Sequence, residues 1–533
     1  MTHRPLRPLA CVPALTLALA LTLATLPATA AAPNLPSTNV AWLPAASDAD
    51  IDRAFAQARA QNKPLLLYWG ATWCPPCNQL KATLFNRQDF AAQSRAFVAV
   101  HVDGDRPGAQ RVGRRFQVSG YPTVLLLRPD GTEITRLPGE VDAAQVMAVL
   151  HLGLADGRPV RAVLADALAG RTLAANDWRL LAFYSWETDH ESLVPRTELP
   201  DTLARLALAA PTADAETGTR LWLKAVAAST EGQGIKPDAA MRERLQRLLA
   251  DPLQSRTHMD MLTGSSAATL VRALAPEADA ARGTLLAAFE PALRRLQADP
   301  SLSRSDRLSA LHARVELARV DQSRTQVQVS LPAALVAEVR QHVTRDDAEI
   351  RDGYERQAVI THAAHVLGRA GLWTDSEALL KTNLARSHSP YYLMSQLGGN
   401  ARRQGKNDEA LNWYAQSYTQ ATGPATRLQW GSNYLQALVD LAPQETRRIE
   451  QTYTALLADA AKDSAAFEGR SLRSLQRAAE KLRTWGSEGQ RAPVLRRLQA
   501  QTDTLCRNVD SADGQRAACQ ALFRPAGTAG RDA

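Results

Sequence analysis

The sequence predicts an α/β domain, a mixed sheet flanked by helices over residues 45–155, followed by a large all-α region over 160–525. Three observations carry this prediction. Short, wholly apolar runs such as PLLLYW at 64–69 and TVLLL at 123–127 alternate with helix-length amphipathic segments in the first part of the chain. Residues 160–525 are rich in Ala, Leu, Arg and Gln, contain no convincing strand, and are cut into helix lengths by Pro and Gly. Within that region a period of 34 residues separates Gly371 from Gly405, Pro390 from Pro424, and Leu380 from Tyr414, which suits paired helices stacked as a repeat. At 533 residues the chain also exceeds what one hydrophobic core sustains, so more than one domain is expected.

Taken in order, the chain opens with Arg4 and Arg7, an apolar stretch from Val12 to Leu26, and the small residues Ala28-Thr29-Ala30. That pattern is a secretory signal peptide over 1–30, cleaved near Ala30 and followed by a linker at 31–44. No later apolar run reaches the ~18 residues a membrane span needs, so a soluble periplasmic protein is expected. The composition, 45% apolar and 22% charged, is that of an ordinary globular protein. The net charge of +8 is interleaved with acids, which indicates solvated helix faces and no nucleic-acid partner.

In the α/β part, Ser47 and Asp48 cap a helix to Gln61 with Ile51, Phe55 and Ala58 on its apolar face. Pro64 to Trp69 is a buried strand, a helix opens near Cys74, and Arg95 to Val102 is a second strand. A helix from Pro107 to Phe116 carries Arg111, Arg114 and Arg115 as a solvent-facing stripe. Thr123 to Leu127 is a third strand, and Pro129-Asp130-Gly131-Thr132 turns the chain into a fourth at 133–137. A last helix begins near Asp142.

In the all-α part, LGGNARRQGKNDEALNWYAQSYTQA resembles a tetratricopeptide repeat at Leu397, Gly398, Gly405, Ala410 and Tyr414, within 360–424. Ala401 stands where that repeat usually has an aromatic residue. Residues 526–533 are expected to be a flexible tail.

Trp73-Cys74-Pro75-Pro76-Cys77, placed after a buried strand and opening a helix, carries the chemistry. Thiol exchange needs one thiolate able to attack and a second thiol one turn later to resolve the mixed disulfide. At a helix N-terminus the amides and macrodipole favour an anionic sulfur, lowering its pKa from roughly 8.5 toward 7. The thiolate fraction at pH 7 then rises roughly fifteen-fold, intrinsic nucleophilicity falls about five-fold, and the net gain in attack is about three-fold. The larger effect is on redox poise.

A zinc site would need a second cysteine pair nearby, and Cys506 and Cys519 lie in the other region, so no metal and no dissociable cofactor is implied. Cys506 and Cys519 are candidates for a structural disulfide, with a relay to Cys74 as the alternative. His362 and His365 share a helix face without an evident third ligand.

YWGATWCPPC, FVAVHVDGD and SGYPTVLLLRPDGTEITRLPG together resemble the thioredoxin superfamily over about 45–155. The likeness is to periplasmic thiol:disulfide interchange proteins and to the soluble C-terminal module of the bacterial transmembrane disulfide reductase. It implies Cys74 as the attacking and Cys77 as the resolving cysteine, Pro122 as a cis-proline facing them, and a substrate groove formed by Trp73, Tyr121, Pro122 and Gly139. One departure stands out: members usually carry a buried acid six residues before the first cysteine, where this chain has Tyr68. A phenol is a poor proton acceptor at neutral pH, which leaves water, a backbone group or Lys81 to assist Cys77.

The expected function is a periplasmic thiol-disulfide oxidoreductase, in the reductase direction, acting on protein disulfides. Its partners would be a membrane electron-donor protein and proteins bound by the helical repeats. The alternative is a redox-assisted scaffold or chaperone-like protein in which the helical region carries the main role.

Overall fold

The computed structural model describes residues 40–118, 120–137, 142–155, 157–186, 188–189, 191–323, 325–487, 491–511 and 514–524. The expected signal peptide, residues 31–39 of the linker, Gly139 and the tail at 526–533 lie outside the described residues.

The first strand, β1, is Leu43–Ala45, and helix α1 is Asp48–Gln61. The Ser47 hydroxyl accepts from the Asp50 amide while the Asp50 carboxylate accepts from the Ser47 amide, satisfying two N-terminal donors at once. Strand β2, Leu65–Gly70, leads into helix α2, Pro75–Leu80, which runs on through a π-turn at Lys81–Phe85. Helix α3 is Gln88–Gln93, β3 is Val98–Asp103 and α4 is Ala109–Arg115. Strands β4, Thr123–Leu127, and β5, Glu133–Leu137, form a hairpin, and α5 is Ala143–Leu154, capped by Asp142.

The sheet order is β1-β3-β2-β4-β5, parallel on one side of β2 and antiparallel on the other. Strand β2 is therefore central and all six of its residues are buried, which explains its unbroken apolar sequence. Its residues alternate between two cores. Leu65, Leu67 and Trp69 pack with Ile51, Phe55, Val100 and Val112 beneath α1 and α4, whereas Leu66 and Tyr68 pack with Leu80, Leu84, Val146 and Leu150 beneath α2 and α5. This second core does not stop at α5. It continues through Val163, Leu181 and Trp186 to Trp430, Leu438 and Leu482 in the helical region.

From Val160 to Gln520 the described residues are helical, with one isolated bridge between Thr230 and Gln233. The 34-residue offset corresponds to consecutive helix pairs: Gly353–Arg369 with Trp373–Asn383, and Pro390–Arg403 with Asn407–Gln420. Gly371 (φ 77°) and Gly405 (φ 74°) turn the chain between the partners, a left-handed conformation open to glycine. No helix among the described residues is long and apolar enough to cross a membrane.

Arg136 ties the two parts together. Its fully buried guanidinium pairs with Glu133 at 3.2 Å and donates to the carbonyls of Phe116 (3.2 Å) and Thr188 (2.6 Å).

Candidate functional site

The site stands where the central strand ends. Strand β2 delivers the chain to Cys74, the N-cap of α2, and Pro75 and Pro76 occupy the first turn, where no amide is needed. Cys74 and Cys77 are joined by a disulfide with their Cα atoms 5.2 Å apart. The Cys77 amide donates to the Cys74 sulfur at 3.2 Å. A free helix-terminal donor is thus aimed at the sulfur that would carry negative charge after reduction.

Asn78, fully buried, fixes this turn. Its side-chain amide donates to the carbonyls of Thr72 and Cys74, both at 2.8 Å. From the sequence alone this role is not visible, beyond a polar residue at an inward position beside the cysteines.

Tyr121 and Pro122 are joined by a cis peptide bond ahead of β4. The Tyr121 ring lies 5.8 Å from that of Trp73 and 5.9 Å from that of Trp69, and its hydroxyl accepts from Gln110 at 3.0 Å. Of the groove residues named from the sequence, Tyr121 lies against Trp73, which precedes Cys74, and Pro122 follows Tyr121 through the cis bond; the fourth, Gly139, falls outside the described residues.

Proton handling looks different from the side of each candidate. Burial, then the nearby Asp103, pushes the Tyr68 hydroxyl far above its ordinary pKa, and it has no hydrogen-bond partner among the described residues. It cannot serve as a base at neutral pH. Burial lowers the pKa of Lys81, whose ammonium sits 5.2 Å over the Tyr354 ring. A further titratable group at the site is one the sequence did not single out: Asp105, in the loop after β3. Burial pushes its carboxyl up to about 6, against the lowering effect of hydrogen bonds from Thr426 and Trp73. It accepts from the Trp73 indole N–H at 2.9 Å.

The family profile described as a thioredoxin-like domain matches residues 51–153. Residues 51–153 form a thioredoxin-like domain. Over 116 residues the chain is 32% identical to thiol:disulfide interchange protein DsbD 2 of Pseudomonas aeruginosa, covering 21% of this chain and 20% of that protein. It is 32% identical over 117 residues to the thiol:disulfide interchange protein DsbD of Klebsiella pneumoniae, covering 21% and 19%. With the DsbD of Pseudomonas fluorescens the identity is 33% over 101 residues, 18% and 17% of the two chains. The chain thus matches about a fifth of the length of these curated relatives.

The helical region lies directly on the disulfide face of the thioredoxin-like domain. Trp73 is enclosed: its indole N–H also reaches the Thr426 hydroxyl at 2.6 Å, its ring stacks on Tyr392 at 5.7 Å, meets Trp430 edge-on at 5.7 Å, and lies under the Arg470 guanidinium at 5.2 Å. Gln357 donates to the Trp73 carbonyl at 3.4 Å, and the His388 ring is 3.1 Å from the Thr72 carbonyl. Cys74 is left 2% exposed and Cys77 0%.

Cys506 and Cys519 are joined by a second disulfide, between helices Ala492–Arg507 and Gln515–Gln520, and both are fully buried. His362 lies 3.2 Å from His312, with His365 beside them, and burial lowers the pKa of His362 and of His365, the latter to about 4. Among the described residues no group of His, Cys, Asp and Glu is arranged to hold a metal ion. The Arg stripe on α4 faces more than solvent: Arg114 pairs with Glu468 at 3.2 Å and Arg111 donates to the Ser464 carbonyl at 3.4 Å, both in the helical region.

Proposed function

We propose that the protein is a periplasmic thiol-disulfide oxidoreductase acting on protein disulfides, with Cys74 as nucleophile and Cys77 as resolving thiol. In the reductive direction the Cys74 thiolate attacks one sulfur of a substrate disulfide, the substrate S–S bond breaks, and the other substrate sulfur leaves as a thiolate. Cys77, deprotonated, then attacks the Cys74 sulfur, releasing the substrate's second thiolate and closing the Cys74–Cys77 disulfide. Two electrons have passed to the substrate, and a dithiol donor must return them. A membrane electron-donor protein is the source we assign.

The observation that carries this reading is the Cys77 amide pointing at the Cys74 sulfur, at the end of the central strand of a thioredoxin-like domain. Trp73, Tyr121 and Pro122 would form the groove in which the substrate chain lies. The reductive direction rests on the resemblance of the motif-bearing segments to the soluble module of the transmembrane disulfide reductase. A periplasmic location is supported by the apolar segment from Val12 to Leu26 and by the buried Cys506–Cys519 disulfide, which would be structural. The tetratricopeptide-like helix pairs within 360–424 would contribute partner binding.

The test is a pair of variants. Cys74→Ser should abolish insulin disulfide reduction, and Cys77→Ser should accumulate mixed disulfides with client proteins. Full activity in the Cys74 variant would reject the reading.

A further inference from the structure

Exchange between two proteins requires an incoming sulfur to approach in line with an S–S bond, while the partner backbone lies along the residues beside it. Here those residues are already engaged by the chain's own helices. The carbonyls of Thr72 and Trp73, next to Cys74, accept hydrogen bonds from His388 and Gln357. The Trp73 indole is enclosed by Tyr392, Trp430 and Arg470, and its N–H also reaches Thr426.

The fit is built into the backbone as well. Gly423 (φ 84°) precedes the Pro424–Leu441 helix, and a Cβ there would fall 2.7 Å from the Asp105 Cβ. Gly469 (φ 46°) begins the Gly469–Gly486 helix, and a Cβ there would fall 2.8 Å from the Gln110 Oε1, which also accepts from the Arg470 amide at 2.8 Å. Two helices therefore approach the thioredoxin-like domain end-on through glycines in the left-handed region, where other residues are strained. Contacts arrive from at least four separate helices or loops, so no single loop can account for the closure.

We propose that the helical region is a cap that holds the Cys74–Cys77 pair closed to partner proteins, and that it must part from Trp73 before exchange can occur. The purpose of such a cap rests on the oxidoreductase reading; its existence does not, and the two are measured separately. The rate of any reaction at Cys74 is then scaled by the open fraction.

The experiment uses the full-length chain carrying Cys11→Ser and Cys77→Ser, so that Cys74 is a lone thiol while Cys506–Cys519 stays oxidised. Its modification by N-ethylmaleimide is timed by mass spectrometry, with and without cap substitutions. Two sets are used: the mild pair Gln357→Ala and Thr426→Ala, which removes two hydrogen bonds to Trp73, and Trp430→Ala, which opens the ring enclosure. Modification should quicken at least about tenfold in one or both sets, equivalent to ~1.4 kcal/mol of opening free energy. Equal rates in the parent and in both sets, with all chains folded by circular dichroism, would overturn the cap. Insulin reduction is measured on the same substitutions with Cys77 intact. Protection of Cys74 without exchange in any variant would keep the cap and reject the oxidoreductase, whereas exchange with an unprotected Cys74 would do the reverse.

Discussion

Asp105→Asn should stabilise this protein at neutral pH and leave it unchanged in acid. The Asp105 carboxyl is buried against Gly423; one oxygen accepts from the Trp73 indole, and the other has no partner among the described residues. Burial raises its pKa from 3.8 to about 6 in the folded chain. Between those values the folded state holds a proton that the unfolded state has released, so stability falls as pH rises through this window and is fully retained only below it. About two pKa units at ~1.36 kcal/mol each set the loss at about 3 kcal/mol, complete by pH ~7. Asparagine retains an acceptor for Trp73 and has no charge to desolvate. The variant should therefore match the parent near pH 4 and exceed it by about 2–3 kcal/mol at pH 7.5. Two other buried acids act with the opposite sign: despite burial, Glu316 is held low by the nearby His312 and Arg369, and Asp260 by Arg220. Their contributions are common to both chains and cancel in the difference. Urea unfolding at a series of pH values, with equal m-values required, measures that difference. A gap that does not change between pH 4 and 7.5, or a variant less stable throughout, would refute the reasoning.

Three further outcomes follow from the same structure. Replacing Cys506 and Cys519 together by Ala should lower stability by about 3 kcal/mol, the loop-closure value for a 13-residue separation, while insulin reduction by Cys74 and Cys77 is unaffected; an equal loss of exchange would favour a relay. Arg136→Met should cost about 3 kcal/mol in chemical denaturation, because it strands the Phe116 and Thr188 carbonyls and removes the partner of Glu133. Asn78→Leu should cost about 2 kcal/mol by removing two buried hydrogen bonds, to the Thr72 and Cys74 carbonyls, and Asn78→Asp should not rescue it, since a carboxylate cannot donate.

The parts of the fold legible in the sequence are those governed by short-range rules. Leu65–Gly70 and Thr123–Leu127 are readable as buried strands because both faces of a central strand are covered, and α1 is readable from its cap. Leu43 and Pro44 of β1 fall within the linker read from the sequence, since three residues are too few to show alternation; β1 is fixed by pairing with β3 and by Ala45 in the core. The cysteine motif is legible because its spacing is its chemistry. Asp105 and Gln110 were not, because each is defined by what lies hundreds of residues away: Thr426 beside the one, Gly469 and Arg470 beside the other. The stripe of Arg111, Arg114 and Arg115 read as a solvent face for the same reason, as its partners at 464–468 have no local signature.

The 34-residue period and the cysteine motif, found independently, converge on one place. The Gly353–Arg369 helix of the first pair packs on α2, and the Pro390–Arg403 helix of the second carries Tyr392 onto Trp73. Pro424, the next position in the period, opens the helix that brings Thr426 and Trp430 to the same indole. Successive units of a helical repeat present equivalent edges at regular intervals, so one edge of the array can follow the outline of a second domain. Here that edge is set on the end of α2 that carries the disulfide. A change in the angle between adjacent helix pairs would therefore shift Gln357, Tyr392 and Thr426, one from each successive unit, relative to Trp73.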